Sequence, residues 1–128
     1  MHVKFYSETQ NGGHLLEGLK LGWDLEDITI ANKYLGYAGG DMDYAIIANP
    51  DVQNGRKLLV IKESFANAML PFLAKSFEEV HVVDFRYYTG NMDTLIREAG
   101  ITDALFLNYI ITPGVNASVS KMEALTAG

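Results

Sequence analysis

The chain has 128 residues, of which 48% are hydrophobic, no cysteine, and a formal net charge of −6. That length and apolar content fit one globular domain with a core of its own and exclude a disordered chain. The acidic balance and the lack of any basic cluster beyond Arg56-Lys57 disfavour nucleic acid as a partner. The absence of cysteine excludes disulfides and thiolate metal sites.

No apolar run approaches the roughly 20 residues that span a bilayer, and the opening MHVKFYSETQ carries no apolar leader region. Val3 to Tyr6 reads as a short strand, and Thr9 to Gly13 as a turn. Between 14 and 36, Leu15, Leu16, Leu19 and Trp23 stand near helical spacing. Gly18 and Gly22 weaken a helix there by about 1 kcal/mol each against alanine. Ile28-Thr29-Ile30 reads as another short strand, and Gly36 to Asp43 as a loop. Tyr44 to Ala48 is a strand ended by Asn49-Pro50-Asp51. Asn54-Gly55 is a strong turn signal, so residues 44–62 read as a hairpin-like pair.

Leu58 to Ile61 is a continuous apolar run of strand length, as in a sheet covered on both faces. In the next segment Phe65, Met69, Phe72, Leu73 and Phe77 share one helical stripe. Pro71 inside it predicts a kink or a restart, because its ring and missing N–H break the helical ladder. Val80 to Val83 is a second buried strand. Asn91 is predicted to cap a short helix bearing Met92, Leu95, Ile96 and Ala99, which Gly100 stops. Ala104 to Leu107 is a third strand, and Ser120 with Glu123 reads as the capping box of a short C-terminal helix.

The order β-α-β-α-β with short connections predicts an α/β fold with a parallel sheet and right-handed crossovers. It forms a single domain: 1–50 is a lead-in, 51–112 the core and 113–128 a C-terminal tail. If the strand at 58–61 lies between the other two, the helices fall on opposite faces. Its C-terminal edge is then the switch point where open α/β sheets bind ligands. Lys62-Glu63-Ser64, Asp84-Phe85-Arg86-Tyr87 and Asn108 would meet there.

Ser64 stands first among residues that can carry chemistry. A hydroxyl at a helix N-terminus has backbone N–H groups beside it that can hold an oxyanion. The plainer reading is an N-cap. A serine nucleophile also needs a base within reach, and there are three histidines. His81 lies in an apolar strand, towards the end away from Ser64, and reads as structural. His14 follows a Gly-Gly turn and His2 is near the start of the chain, so neither can be placed beside Ser64 from sequence. Arg86, flanked by Asp84, Tyr87 and Tyr88, fits an anionic or carbonyl oxygen, or else an Arg–Asp pair that orders the loop. Asn108 ends the third strand, where its amide can face an oxyanion or cap a turn. Asp41 and Asp43 sit in a glycine-rich loop with too few oxygen ligands for a metal site, so a solvated loop is expected.

Residues 58–88, LLVIKESFANAMLPFLAKSFEEVHVVDFRYY, and then GNMDTLIREAGITDALFLNYI, closely resemble the C-terminal half of the DHHW family. These are SGNH-like proteins related to the alginate and polysaccharide O-acetyltransferases. The upstream KYLGYAGGDMDYAIIANPDVQNGRKL resembles the segment leading into the family's serine, so the likeness runs over residues 33–110. It implies a three-layer SGNH/flavodoxin-like sheet, here an incomplete domain, and serine esterase or O-acyltransferase chemistry on cell-surface carbohydrate. It also implies an extracytoplasmic or cell-surface setting for the parent protein, and no cofactor or metal.

On this resemblance Ser64 matches the nucleophile, with Glu63 where the family generally has aspartate in Lys-Asp-Ser. Phe65 with its N–H, Arg86 and Asn108 would serve the oxyanion or substrate. The family takes its aspartate and histidine from an upstream Asp-His-His-Trp motif. This chain has no such motif, and its one tryptophan, Trp23, stands in Gly-Trp-Asp. The expectation is therefore the C-terminal portion of a longer protein, inactive alone. Its partners would be the missing N-terminal segment, carbohydrate and, through exposed core surface, other copies of itself. The rival expectation is a non-catalytic carbohydrate- or protein-binding module of the same fold.

Overall fold

The computed structural model describes residues 2–6, 15–17, 43–109 and 116–126. Among them six strands form one sheet: β1 (His2–Tyr6), β2 (Leu15–Glu17), β3 (Tyr44–Ala48), β4 (Lys57–Lys62), β5 (Glu79–Asp84) and β6 (Asp103–Leu107). The order across the sheet is β2-β1-β3-β5-β4-β6. A 3₁₀ helix (Ser64–Met69) runs into α1 (Leu70–Leu73), followed later by α2 (Met92–Ala99) and α3 (Asn116–Thr126). The architecture is α/β. The predicted turn at 9–13 and strand at 28–30 lie outside the described residues, as does nearly all of the 36–43 loop.

β4 lies between β5 and β6 and is parallel to both, as the β-α-β-α-β pattern requires. The sheet as a whole is nevertheless mixed, not parallel, because β3 runs antiparallel to β5 and β1 runs antiparallel to β3. The expected hairpin over residues 44–62 does not form, since β5 lies between β3 and β4. The connection does turn at Asn54-Gly55, where Gly55 adopts φ 69°, a region open to glycine. Its hydrogen bonds go elsewhere. Asn49 N–H donates to the Glu78 carbonyl at 3.0 Å. Asn49 Nδ2 reaches the Ala74 carbonyl, and Asn54 Nδ2 that of Ser76. These bonds wrap the connection around the segment entering β5, so β5 takes the inner place.

Alternation along the strands builds two cores. Ala45, Ile47, Leu58, Val60, Val80 and Val82 face Leu70, Ala74 and Phe77. On the opposite face Leu59, Ile61 and Val83 pack with Phe85, Met92 and Leu125, with Leu95 and Ile101 at the margin. Each fully buried Leu, Val or Ile stabilises by about 1.5–3 kcal/mol. The near-unbroken burial of β4 follows from this double cover.

Pro71 does mark a restart: the 3₁₀ stretch ends at Met69, and α1 begins with the proline in its first turn. The stripe is corrected. Phe65, Met69 and Phe72 are exposed, whereas Ala66, Asn67, Leu70, Pro71 and Ala74 face inward. A 3₁₀ turn takes three residues, so spacing counted at 3.6 assigns the wrong face. Asn91 caps α2 by accepting from Thr94 N–H, and Gly100 closes it in the left-handed region. α3 starts at Asn116, which places Ser120 inside the helix rather than at its cap. β2 stands where helical spacing was weighed for Leu15 and Leu16. Asp43, expected in a solvated loop, is buried, and its carbonyl accepts from Asp84 N–H.

Candidate active site

β4, β5 and β6 end together. In register, Lys62 faces Asp84 on one side and Leu107 on the other. The residues that follow these strands are Glu63-Ser64-Phe65, Phe85-Arg86 and Asn108. All four residues singled out from sequence, Ser64, Phe65, Arg86 and Asn108, therefore lie at one sheet edge.

Ser64 is half-buried and opens the 3₁₀ helix; it is not the N-cap, a position held by Glu63. The first intrahelical bond runs from Ala66 N–H to the Glu63 carbonyl at 3.1 Å. The amide of Phe65 precedes it, so the turn itself offers that amide no acceptor. Glu63 is buried, and its Oε1 accepts from Tyr109 N–H at 2.5 Å. This bond ties the chain leaving β6 to the residue just before Ser64. Tyr109 also stacks on Phe65, with ring centroids 4.7 Å apart and planes at 16°. Phe65, Ala66, Met69, Leu107 and Asn108 line a small open recess of about 150 Å³. Asn108 Oδ1 is buried and has no hydrogen-bond partner among the described residues. Buried amide oxygens are usually paired, so this one is an unsatisfied acceptor among the described residues.

A charged group supports the edge from below. Lys62 Nζ lies 3.3 Å from Asp84 Oδ2, and both side chains are almost wholly buried. Arg86 grips the same carboxylate, Nη2 to Oδ2 at 2.6 Å and Nε to Oδ1 at 2.9 Å, and its backbone N–H adds a third bond. The Arg–Asp pair weighed from sequence is thus present. It fixes the guanidinium, which also lies 5.0 Å from the Tyr87 ring centroid. Two cations thus share the Asp84 carboxylate, with the buried Glu63 and Asp43 nearby in the chain and sheet.

No histidine stands at this edge among the described residues. His81 is in mid-strand, bonded to Tyr44 and Glu79. The side chain of His2 and all of His14 lie outside the described residues. Sequence reasoning placed Lys62 at this edge but missed its pairing with Asp84, and it missed Tyr109. A lysine ending an apolar strand was a usable signal, because a buried lysine requires an acid opposite. Tyr109 offered none, since its contacts depend on where β6 sits.

What the edge can do chemically follows from its parts. It has a hydroxyl in the first turn, the Phe65 amide beside it, a carboxamide, a small apolar recess and a fixed guanidinium. These can hold a carbonyl group and stabilise negative charge on its oxygen.

No protein of curated function matches the chain. Among solved structures it is similar to a DHHW family protein from Eubacterium siraeum, with 26% identity over 99% of this chain and a TM-score of 0.76. It is also similar to Bacillus cereus PatB1, with 29% identity over 84% of this chain and a TM-score of 0.67. A second PatB1 structure, described as carrying a sulfonyl adduct, gives 0.65. The 128 residues span 41% of the Eubacterium siraeum chain and 35% of PatB1. The DHHW protein family model matches residues 19–83. With half the sequence matched and the fold shared, the chain belongs to the DHHW family.

Proposed function

We propose that this chain is the serine-bearing part of an SGNH-like esterase or O-acyltransferase acting on cell-surface carbohydrate, with a three-layer SGNH/flavodoxin-like sheet and an extracytoplasmic place of work. The observation that carries this reading is the position of Ser64. It leaves the central parallel strand at the edge where Phe65, Asn108 and Arg86 gather. The sulfonyl adduct of PatB1 supports it, since such adducts form when a nucleophile attacks a sulfonyl electrophile.

In this reading Ser64 Oγ attacks the acyl carbonyl carbon while its proton passes to a base. The carbonyl π bond opens, and the resulting oxyanion accepts from the Phe65 amide and from the Nδ2 of Asn108. Collapse breaks the ester C–O bond, and the leaving alcohol takes the proton. Water or a sugar hydroxyl then attacks the acyl-serine and regenerates Oγ–H. The base comes from a part of the protein outside the described residues, and Asp84 with Lys62 keeps Arg86 oriented toward the substrate.

The test is covalent labelling of the full-length protein with an aryl sulfonyl fluoride, followed by peptide mapping. Modification of Ser64, abolished in Ser64→Ala, is expected. Labelling that persists in Ser64→Ala sinks the assignment.

A second reading, a non-catalytic glycan-binding module, is favoured by one observation: the exposed Phe65–Tyr109 stack offers a flat apolar platform. Glycan affinity unchanged by Ser64→Ala but lost in Tyr109→Ala, without any labelling, would select it.

A further inference from the structure

Glu63 acts in two directions. Its carbonyl accepts the first bond of the 3₁₀ helix, from Ala66 N–H at 3.1 Å. Its side chain stands at the N-cap but makes no capping bond. An acid beside a helix start is well placed to accept from the first turn. This one crosses instead to the chain leaving β6, where Oε1 accepts from Tyr109 N–H at 2.5 Å. Glu63 is only 8% exposed, and a bond from N–H to a buried carboxylate is among the stronger ones a chain can make.

Asn108 lies between two attachments to the Lys62–Ser64 segment. On one side Leu107 is in register with Lys62, and on the other Tyr109 is held by Glu63. The oxygen of its own side chain adds no hold, since Asn108 Oδ1 meets no donor among the described residues. The main chain on either side therefore sets where the carboxamide stands. β6 ends at Leu107, so beyond that residue the ladder with β4 no longer fixes the chain. The Glu63 bond and the Phe65–Tyr109 stack continue the attachment.

A donor serves an oxyanion only where it is held at the place the charge develops, and a displacement of about 1 Å can cost about 100-fold in rate. We propose that Glu63 is the positioning residue for Asn108: its carboxylate holds the Tyr109 amide and so fixes the Asn108 carboxamide beside the turn that carries Ser64. Glu63 acts through Asn108 and does not touch the substrate. This role rests on the catalytic reading above, in which the Phe65 amide and Asn108 Nδ2 receive the oxyanion. One residue then places both donors. Its carbonyl starts the helix that presents the Phe65 amide, and its carboxylate holds the chain that presents Asn108.

The experiment is a double-mutant cycle in the full-length protein, read on hydrolysis of an activated acetyl ester and on the NMR signals of the Asn108 Nδ2 protons. Asn108→Ala should lower kcat about 100-fold with KM little changed. Glu63→Ala should lower kcat about 10- to 100-fold in the same way. Added to Asn108→Ala, it should cost less than about 2-fold more, because residues that act as a unit are not additive. Glu63→Gln keeps an acceptor oxygen at the same reach and should recover most of the loss. Tyr109→Ala removes the stack but keeps the N–H, and should lose less than Glu63→Ala. Where Glu63→Ala does not fold, Glu63→Met keeps the volume without the acceptor and takes its place in the cycle. An equal cost in both backgrounds overturns the proposal, since a merely structural Glu63 would act regardless of Asn108. The Nδ2 signals give a readout free of chemistry: they should move to the positions of a free amide in Glu63→Ala and return in Glu63→Gln. Signals that follow Glu63, with no hydrolysis and no labelling of Ser64, sink only the catalytic reading. Labelling of Ser64 with rates and signals indifferent to Glu63 sinks only the positioning.

Discussion

His81 illustrates how a single buried residue sets a pH dependence. Tyr44 Oη lies 2.5 Å from its Nδ1, and Glu79 Oε2 lies 2.9 Å from its Nε2. Burial pushes the imidazole below its ordinary 6.5, although the Glu79 carboxylate pulls the other way. Burial, and then the charges of Tyr88 and Glu79, push the Tyr44 phenol far up, so it keeps its proton and donates to Nδ1. Nε2 therefore carries the ring's proton and donates to Glu79. Burial pushes Glu79 up, but the hydrogen bonds from His81 and Lys57 outweigh it and hold the group below 4.5. Both groups thus titrate lower in the folded state, and the unfolded chain binds more protons as each window is crossed. The stability from His81 is complete above pH 6.5 and is lost as pH falls; that from Glu79 follows below 4.5. The urea midpoint is expected to drop between pH 7 and pH 5, and His81→Gln to flatten that drop. An unaltered slope in the variant would move its origin to another group.

Asp84 belongs to the same scale. Breaking a buried ion pair leaves charge uncompensated and costs about 3–5 kcal/mol. Asp84→Asn weakens the hold on both Lys62 and Arg86, so a loss in that range is expected from urea unfolding. Arg86→Ala removes only the half-exposed partner and should cost clearly less. Equal losses would mean that Arg86, not Lys62, accounts for the stability of the cluster. The chemistry of both residues was legible in the sequence, where Arg86 and Asp84 stand two apart. The lysine was not, because its partner comes from the next strand.

At the scale of elements, α2 was the easiest to read, because caps are local. Asn91 accepts from Thr94 N–H at 3.0 Å, and Gly100 sits at φ 68°. Asn91→Ala should cost about 1 kcal/mol. Gly100→Ala should cost about 1–2 kcal/mol from backbone strain alone, since an added Cβ meets nothing within 4 Å. Thermal unfolding checks both, and an unchanged midpoint in Gly100→Ala would deny that the strain matters. The segment from Ser64 to Leu73 was harder. Its apolar residues allow either winding, and the small side chains of Ala66 and Ala74 select the face that lies against the sheet. That choice depends on packing, which spacing within the segment does not encode. Phe65 and Met69, left outside, line the recess beside Asn108.

At the scale of the whole molecule, a nucleophile and its base need to meet, and the described residues bring only the serine side of that pair to the edge. On the proposed reading, the 128 residues are expected to hydrolyse an activated acetyl ester no faster than their Ser64→Ala variant. Robust hydrolysis by the short chain, lost in Ser64→Ala, would show that the base lies within it. The sequence by itself determined that β4, β5 and β6 are strands, that Pro71 divides a helical segment, that Asn91 and Gly100 bound α2, and that Ser64 follows a buried strand. Each of these is written in run length, turn chemistry or capping within a few residues. Only the tertiary structure decided that β5 separates β3 from β4, that Phe65 and Met69 face outward, that Lys62 meets Asp84 and that Tyr109 reaches Glu63. An apolar run states that a strand is buried but not which strand lies beside it, and every one of those contacts depends on the neighbour.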